Sequence, residues 1–196
     1  MEFHIDHAEV YGLDKAIIAS GNAMRTKMAD NNSVATDKDW KRAAALGATK
    51  TGEGHDNFLN GIIVQFDLYA PLYMWKQLQR YHFLDFVSSQ STMHKLIKFD
   101  IKEQCTADTD SIILERYQEL LNYYNELDDL DINKKPTWRK LVASLPSGFV
   151  LGATMTTNYR QLKTIYLQRK NHKLREWHDF CAWCKSLPHF IELIGE

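Results

Sequence analysis

The sequence predicts one domain of the mixed α/β class, and three observations support this prediction. Residues 62–69 alternate two sets of side chains with the period of two that is typical of a half-covered strand. Residues 107–129 carry apolar side chains at intervals of three and four, and a second long helical region is predicted at about 157–186. A length of 196 residues fits one domain and is enough to bury a core without disulfides or metal.

Composition and charge are those of an ordinary water-soluble protein. With 24 Lys+Arg and 25 Asp+Glu the net charge is −1, which gives no general electrostatic support for binding to a nucleic acid polymer or a membrane surface. No apolar run approaches the ~20 residues of a membrane span. The N-terminus carries acidic residues and histidines rather than the features of a signal peptide, and three cysteines do not form a disulfide framework. We therefore expect a cytoplasmic protein.

The first part of the chain is predicted to contain short helices and loops. Alternation in the first ten residues indicates a strand, and polar, turn-rich runs indicate loops. Asp37 is positioned to cap a helix, and Gly47 to end it. In chain order we predict a strand at 1–10, a helix at 13–28, a loop at 29–37, a helix at 37–47 and a glycine-containing loop at 49–57.

The elements after the strand at 62–69 follow from breaks in the periodicity. Pro71 suits the first turn of a helix, and Pro188 interrupts the last helical region before a short tail. Residues 83–94 fit neither period, so an ordered loop is expected there. In chain order we predict a helix at about 72–82, a loop at 83–94, a helix at 107–129, a turn at 134–136, a small and β-branched stretch at 145–157 and a helical region at 157–186.

The most informative side chains lie on one face of the last helical region. Steps of four, three, four and three residues join Asn158, Leu162, Ile165, Arg169 and His172. An arginine in line with two core aliphatic residues needs a partner, because burying an unpaired charge costs several kcal/mol. Its guanidinium suits phosphate or the edge of a nucleobase. A structural ion pair of Arg169 is the alternative that the sequence leaves open.

The helix after Pro71 carries a second polar face. Tyr73, Gln77 and Arg80 share it, and the loop that follows offers hydroxyl and amide groups at Ser88, Ser89, Gln90 and Ser91. Such a set could hold a phosphate or a uracil-like ring. The alternative is a capped helix C-terminus, where Arg80 and His82 would interact favourably with the helix dipole.

Other motifs are weak, and we predict no metal site. Cys181 and Cys184 form a CxxC with His178 one turn earlier, but no second ligand pair accompanies them. Both cysteines continue an apolar stripe, so buried packing is expected. No P-loop, dinucleotide-binding fingerprint or hydrolase nucleophile motif is present.

Taken together, the two polar helices resemble the flavin-dependent thymidylate synthases. The first matching block runs through Gly54-His55, Phe66-Asp67, Ala70-Pro71, Gln77 and Arg80, and the second through Leu145-Pro146, Asn158, Arg160, Leu162 and Arg169. The resemblance implies that residues 1–196 form the family's α/β domain, with a central sheet and long helices. It also implies a homotetramer whose active sites are shared between subunits.

In that family dUMP is reductively methylated to dTMP. Methylenetetrahydrofolate supplies the carbon, and NADPH supplies a hydride through bound FAD. By resemblance, His55, Arg80, His82, Asn158 and Arg160 belong to the FAD site, while Gln77, Ser88, Ser89, Gln90, Ser91 and Arg169 bind dUMP or a related pyrimidine nucleotide. The same resemblance makes His55 and Ser91 the candidate catalytic residues.

The family's Arg-His-Arg signature and the serine after it are altered here. The ungapped positions read Arg80-Tyr81-His82, with Gln90 in the place of the serine. A shift of one residue selects Ser91, and another way of counting selects Ser88. Two further functions therefore stay open: flavin-dependent modification of another pyrimidine nucleotide, or a non-catalytic homologue that has lost FAD and only binds nucleotide or has a structural role.

Overall fold

An antiparallel four-stranded sheet organises the computed structural model, which describes residues 1–29 and 34–196. The strands are β1 (His4–Tyr11), β2 (Ile63–Pro71), β3 (Asp85–Ser89) and β4 (Val150–Asn158). They pair in the order β1-β2-β4-β3, so the two strands that pair with most residues, β2 and β4, lie at the centre. The predicted mixed α/β class is confirmed. The loop expected at 29–37 falls partly outside the described residues.

Helices pack against this sheet and extend beyond it. They are α1 (Leu13–Ala19), α2 (Asp37–Gly47), α3 (Leu72–Leu78), α4 (Thr92–Lys95), α5 (Ile101–Gln104), α6 (Ser111–Glu126), α7 (Lys134–Ala143), α8 (Tyr159–Arg169), α9 (Arg175–Ser186) and α10 (Phe190–Ile194). Short 3₁₀ turns occur at Asn22–Met24, His55–Gly61 and Leu96–Lys98. Over the described ranges, no helix is both long enough and apolar enough to cross a bilayer.

The main core lies on one face of β2 and β4. Val64, Phe66 and Leu68 are buried because alternate residues of a strand point to the same side of the sheet. Across the ladder, Phe66 pairs with Met155, and Leu68 pairs with Ala153. Helices α8, α9 and α10 cover this face with the side chains Leu162, Ile165, Trp177, Phe180 and Phe190. The other face of β2 carries polar residues such as Gln65 and Asp67.

A second apolar cluster joins α6 and α7 to the end of β4. Tyr117 and Leu121 of α6 pack there with Leu141 of α7. The partly buried Leu72 and Leu151 contact both this cluster and the main core. The predicted amphipathic helix at 107–129 is therefore present as α6, and most of its predicted apolar stripe packs in this cluster, whereas Ile113 at the N-terminal end is exposed.

Three predicted boundaries were wrong at the ends of helices. The helix expected at 13–28 ends as an α-helix at Ala19, and the one expected at 72–82 ends at Leu78. The turn expected at 134–136 is instead the first turn of α7, where a proline is tolerated because the first N–H groups of a helix have no intrahelical acceptor.

Two larger predictions also needed correction. The loop expected at 83–94 contains β3, whose five residues are all exposed and whose register shifts between Phe86 and Ser88. An exposed strand with a bulge shows no apolar alternation, so the sequence pattern could not reveal it. The helical region expected at 157–186 starts as the end of β4 and breaks after Arg169, where His172 N–H bonds back to the Arg169 carbonyl.

Candidate functional site: a basic cleft and a separate hydroxyl-lined pocket

Arg169 ends α8 among neutral and aromatic partners. Its Nε donates to the hydroxyl of Tyr81 at 2.6 Å, and its Nη1 donates to Oε1 of Gln77 at 3.3 Å. The guanidinium lies 4.6 Å from the ring centroid of Trp177, whose own Nε1–H also donates to Gln77 Oε1 at 2.9 Å. Within the described residues, no carboxylate oxygen lies within 4.0 Å of Arg169. The side chain is therefore held in place without being neutralised.

A cleft of about 340 Å³ opens beside Arg169. It is lined by Arg80, Tyr81, His82, Gln161, Thr164, Gln168 and Arg169. Two guanidinium groups and an imidazole face the same space, and the lining set contains no acidic side chain. Arg80 and His82 follow the end of α3, since the chain turns at Gln79, so they reach the cleft from a loop rather than from the predicted helix face. Such a lining favours an anionic group.

Asn158 and Arg160 lie where β4 passes into α8. Asn158 caps the helix, with its Oδ1 accepting the N–H of Gln161 at 2.9 Å. Arg160 Nε donates to the fully buried carboxylate of Asp56 at 3.0 Å. His55, the residue before Asp56, is exposed and begins the 3₁₀ turn that follows Gly54. Asp56, which the sequence reasoning missed, thus links the segment that carries His55 to the start of α8, where Asn158 and Arg160 lie.

Three of the predicted pyrimidine-binding residues, Ser88, Ser89 and Gln90, lie at the end of β3 and line a different cavity. This cavity, of about 220 Å³, is lined by Asp67, Tyr69, Ser88, Ser89, Gln90, Gly152, Ala153 and Thr154. Gln90 is fixed to β4, because Gly152 donates its N–H to Oε1 of Gln90 at 2.8 Å and accepts the Gln90 N–H at 2.9 Å. The two cavities share no lining residue.

Ser91 lies just beyond this pocket and has a different local role. It caps α4, and its Oγ accepts the N–H of His94 at 3.3 Å. The lining of the pocket includes Ser88 and Ser89 but not Ser91. Within one chain, the structure therefore brings Gln77, Arg80, His82 and Arg169 together and separates them from the serines.

The hydroxyl-lined pocket contains a polar contact that the sequence did not reveal. Thr154 donates to Oδ1 of Asp67 at 2.5 Å, and Nδ1 of His7 lies 2.9 Å from Oδ2. These two hydrogen bonds, the first being the stronger influence, hold the pKa of Asp67 below its usual range. His7 sits at a β-bulge of β1 with φ of 50°. In the sequence, Asp67 stood among the polar alternate residues of β2 and in the first block of the family resemblance, but neither indicated its contacts with Thr154 and His7.

The cysteines of the CxxC segment belong to the core. Cys181 and Cys184 are both buried on α9 and pack with the main cluster. Burial raises the pKa of the Cys181 thiol to about 11 and that of Cys184 well above its usual value. Within the ranges that the structure describes, no group of three or more His, Cys, Asp or Glu side chains has the arrangement of a metal site.

Comparison with known proteins identifies the fold. No protein-family model matches the sequence, and no curated protein is significantly similar to it. Among solved structures, the flavin-dependent thymidylate synthase ThyX of Helicobacter pylori, complexed with FAD and dUMP, matches with a TM-score of 0.70 and 16% identity over 100% of this chain and 98% of that chain. A second structure of that enzyme with FAD and dUMP gives a TM-score of 0.68, again at 16% identity, over 100% of this chain and 98% of that chain.

A methylase from another organism has the same fold. The UMP/dUMP methylase PolB of Streptomyces cacaoi, bound with 5-Br dUMP, matches with a TM-score of 0.68 and 13% identity over 99% of this chain and 95% of that chain. The predicted resemblance is therefore confirmed at the level of the fold: this chain has the fold of the flavin-dependent thymidylate synthases. At 13–16% identity, the sequence of this chain has diverged far from the sequences of these enzymes.

Proposed function

We propose that this protein is a cytoplasmic, FAD-dependent enzyme of the thymidylate synthase type, which reductively methylates dUMP to dTMP with methylenetetrahydrofolate and NADPH. The observation that carries the proposal is the basic cleft, in which Arg80, His82 and Arg169 face one space without an acidic side chain. On the fold of enzymes that were solved with FAD and dUMP, this chemistry suits the phosphate of a nucleotide.

The contacts of Arg169 support a binding role rather than a structural ion pair. Among the described residues, Tyr81 and Gln77 accept two of the five N–H groups of the guanidinium. The others keep their capacity to donate to a phosphate, and Trp177 fixes the plane of the group from one side. A nucleotide phosphate would then supply a counter-charge for this partly exposed guanidinium.

The residues at the start of α8 fit the anionic and polar parts of FAD. The ion pair with Asp56 uses Nε of Arg160, and about 30% of the Arg160 side chain remains exposed for its terminal nitrogens to bind a ligand. Asn158 and Arg160, together with His55, Arg80 and His82, would hold the cofactor. When bound, FAD supplies the hydride chemistry, whereas the protein orients the reactants.

The two candidate catalytic residues, His55 and Ser91, differ in their surroundings and hydrogen bonds. His55 is exposed and directly precedes Asp56, the partner of Arg160, so it can approach flavin and pyrimidine. Ser91 Oγ accepts a backbone N–H, so its own hydroxyl proton is available to donate to a pyrimidine carbonyl. Since the serines and the basic cleft are separate within one chain, we propose that a homotetramer brings them together at shared sites.

A flavin and nucleotide titration tests the proposal. The purified protein should show or acquire a bound-flavin absorption spectrum with FAD, and this spectrum should respond to dUMP. Arg169→Ala should weaken dUMP binding about tenfold or more without unfolding the chain, because a charge-assisted contact is lost. The matched control is Arg116→Ala, which removes an exposed arginine of α6 paired with Glu119. Wild-type protein that binds neither ligand would refute the proposal.

Modification of another pyrimidine nucleotide is a second candidate, and Gln90 favours it. Where the family has its signature serine, this chain has an amide that is bonded to Gly152. A relative on this fold acts on both UMP and dUMP. Parallel titrations with UMP and dUMP separate the two candidates, since tighter binding of UMP would favour the second. A colourless protein that binds dUMP but refuses FAD would instead indicate a non-catalytic nucleotide-binding homologue.

A further inference from the structure

A buried ion cluster joins the two segments that carry the proposed FAD residues. Lys163 of α8 is 2% exposed, and Asp56 is 0% exposed. Lys163 Nζ donates to the carbonyl oxygens of Gly47 and Thr49, both at 2.7 Å, and to Oδ2 of Asp56 at 3.1 Å. The other oxygen of Asp56, Oδ1, accepts from Arg160 Nε at 3.0 Å. All three donors of the ammonium therefore have acceptors.

Stability alone does not explain such a cluster. Replacing a buried ion pair by apolar residues is often neutral or stabilising, because desolvation of the two charges offsets their attraction. What the cluster provides is geometry. A hydrogen bond from Nε fixes the plane of a guanidinium, and therefore the direction of its terminal nitrogens. Asp56 consequently determines the direction in which the terminal nitrogens of Arg160 point towards a ligand.

The same cluster also fixes the segment that carries His55. Lys163 binds the carbonyl groups at the end of α2, and Asp56 binds it from the other end of the segment 47–56. Between these two attachments the chain turns at Gly54, whose φ of +83° is a conformation that L side chains rarely adopt. His55, directly before Asp56, is exposed while its neighbour is anchored. Both segments are therefore tied to α8.

We propose that the Asp56–Lys163 pair positions the FAD site, by orienting Arg160 and by holding the segment that presents His55. This inference rests on the proposed function and adds to it two positioning residues. Neither residue needs to contact FAD, since Lys163 acts through Asp56, and Asp56 acts through Arg160 and its neighbour His55.

The test measures the FAD dissociation constant by quenching of flavin fluorescence. Asp56→Asn should weaken FAD binding about tenfold or more, since Arg160 loses its charged acceptor. The effect should shrink when Arg160 is absent, so that Asp56→Asn weakens FAD binding less in an Arg160→Ala background than in the wild type, and the remainder is the part that acts through His55. The matched control is Asp39→Asn, which removes another buried carboxylate paired with an arginine, Arg42, and should leave FAD affinity unchanged.

A second measurement follows the loop without any ligand. In hydrogen exchange, Lys163→Met should lose protection over residues 47–57, whereas Asp39→Asn should not. If Asp56→Asn does not fold because Lys163 is left unpaired, Asp56→Asn/Lys163→Met removes both charges and keeps the FAD test available.

The outcomes distinguish failure of the proposed function from failure of the positioning role of Asp56 and Lys163. Wild-type protein that binds no FAD would overturn the proposed function and this inference with it. Wild-type protein that binds FAD while Asp56→Asn binds it equally well would overturn the inference alone. Additive losses in the double variant, or unchanged exchange in Lys163→Met, would also overturn it.

Discussion

A single side chain, Arg169, shows how the identity of a partner separates a structural role from a binding role. In sequence it is an arginine in line with core residues, which fits a buried ion pair as well as an anion site. In the fold its partners are a phenol, an amide and an indole ring. These groups orient the guanidinium but leave its charge uncompensated, and this difference is what makes the cleft attractive to phosphate.

At this scale Tyr81→Phe tests the orientation of Arg169. The variant removes the hydroxyl that accepts from Nε at 2.6 Å, while the ring remains to pack against Trp177. We expect dUMP affinity to fall several-fold, on the order of 1 kcal/mol, with the unfolding midpoint nearly unchanged. Calorimetric titration measures the affinity, and Tyr123→Phe on the exposed surface of α6 is the control. Equal affinity in Tyr81→Phe and wild type would contradict this role.

The three cysteines provide a second test at the level of single residues. Burial raises the pKa of Cys105 and Cys181 to about 11, and that of Cys184 well above its usual value. Because the thiolate is the reactive form, we expect almost no reaction with a thiol reagent at pH 8 in the native protein and three reactive thiols in denaturant. Rapid modification of Cys181 and Cys184 in the folded chain would instead favour a redox role for the CxxC segment.

Among the secondary-structure elements, α2 shows how local chemistry begins a helix. Thr36 is its N-cap and forms a capping box with Asp39: Oγ1 of Thr36 accepts the Asp39 N–H at 3.3 Å, and Oδ2 of Asp39 accepts the Thr36 N–H at 3.1 Å. The sequence prediction placed the cap one residue later, at Asp37. Asp39 also accepts from Arg42 at 2.6 Å, so the helix start is linked to its own second turn.

This capping box should make unfolding depend on pH. The hydrogen bonds from Thr36, followed by that from Arg42, hold the pKa of Asp39 well below its usual 3.8. Because the folded-state pKa is the lower one, the stabilisation is complete above pH 3.8 and disappears as the pH falls through the folded-state value. Asp39→Asn should therefore be less stable than wild type at pH 7, and the difference should shrink in acid.

Urea unfolding at pH 7 and at pH 3 measures this difference. Thr36→Ala should cost about 1–2 kcal/mol at pH 7, through loss of the cap. Asp37→Asn is the matched control, because Asp37 lies in the same first turn outside the capping box. A stability difference between Asp39→Asn and wild type that stays constant with pH would contradict the assigned role of Asp39.

The edge strand β3 shows where element prediction from sequence reaches its limit. Phe86 and Val87 are about half exposed, and the register shift between Phe86 and Ser88 interrupts alternation. Its strand conformation is fixed by pairing with β4, more than sixty positions later in the chain. Hydrogen bonds to a distant strand leave no periodic signal, whereas β2, buried on one face, was predicted nearly to the residue.

On the scale of the whole molecule, the exposed edge bears on assembly. In the described sheet β3 is an edge strand with exposed apolar side chains, and it carries serines of the proposed pyrimidine site. We propose that residues 1–196 form one domain, joined through Leu72 and Leu151, and that this edge lies at a contact between copies. A site divided between two cavities then becomes complete only in the assembly.

Light scattering tests this proposal. We expect a mass of four times 22.8 kDa for the wild-type protein. Val87→Asp should yield smaller species with unchanged circular dichroism and weaker dUMP binding, because a charge would be buried in the contact. Ile112→Asp, on the exposed surface of α6, is the control and should remain a tetramer. A monomeric wild-type protein would refute the assembly.

The resemblance to a known family had grouped Gln77 with Arg169 as nucleotide-binding residues. The sequence pattern by itself determined the α/β class, the strand β2 and the helix α6. These features follow from local periodicity and residue chemistry, which depend only on residues that are close together in the sequence. The tertiary structure alone decided that Arg169 has neutral partners, that β3 is a strand and that Lys163 ties Asp56 to α8. Such partners are far apart along the chain, and only packing of the core brings them within hydrogen-bonding distance.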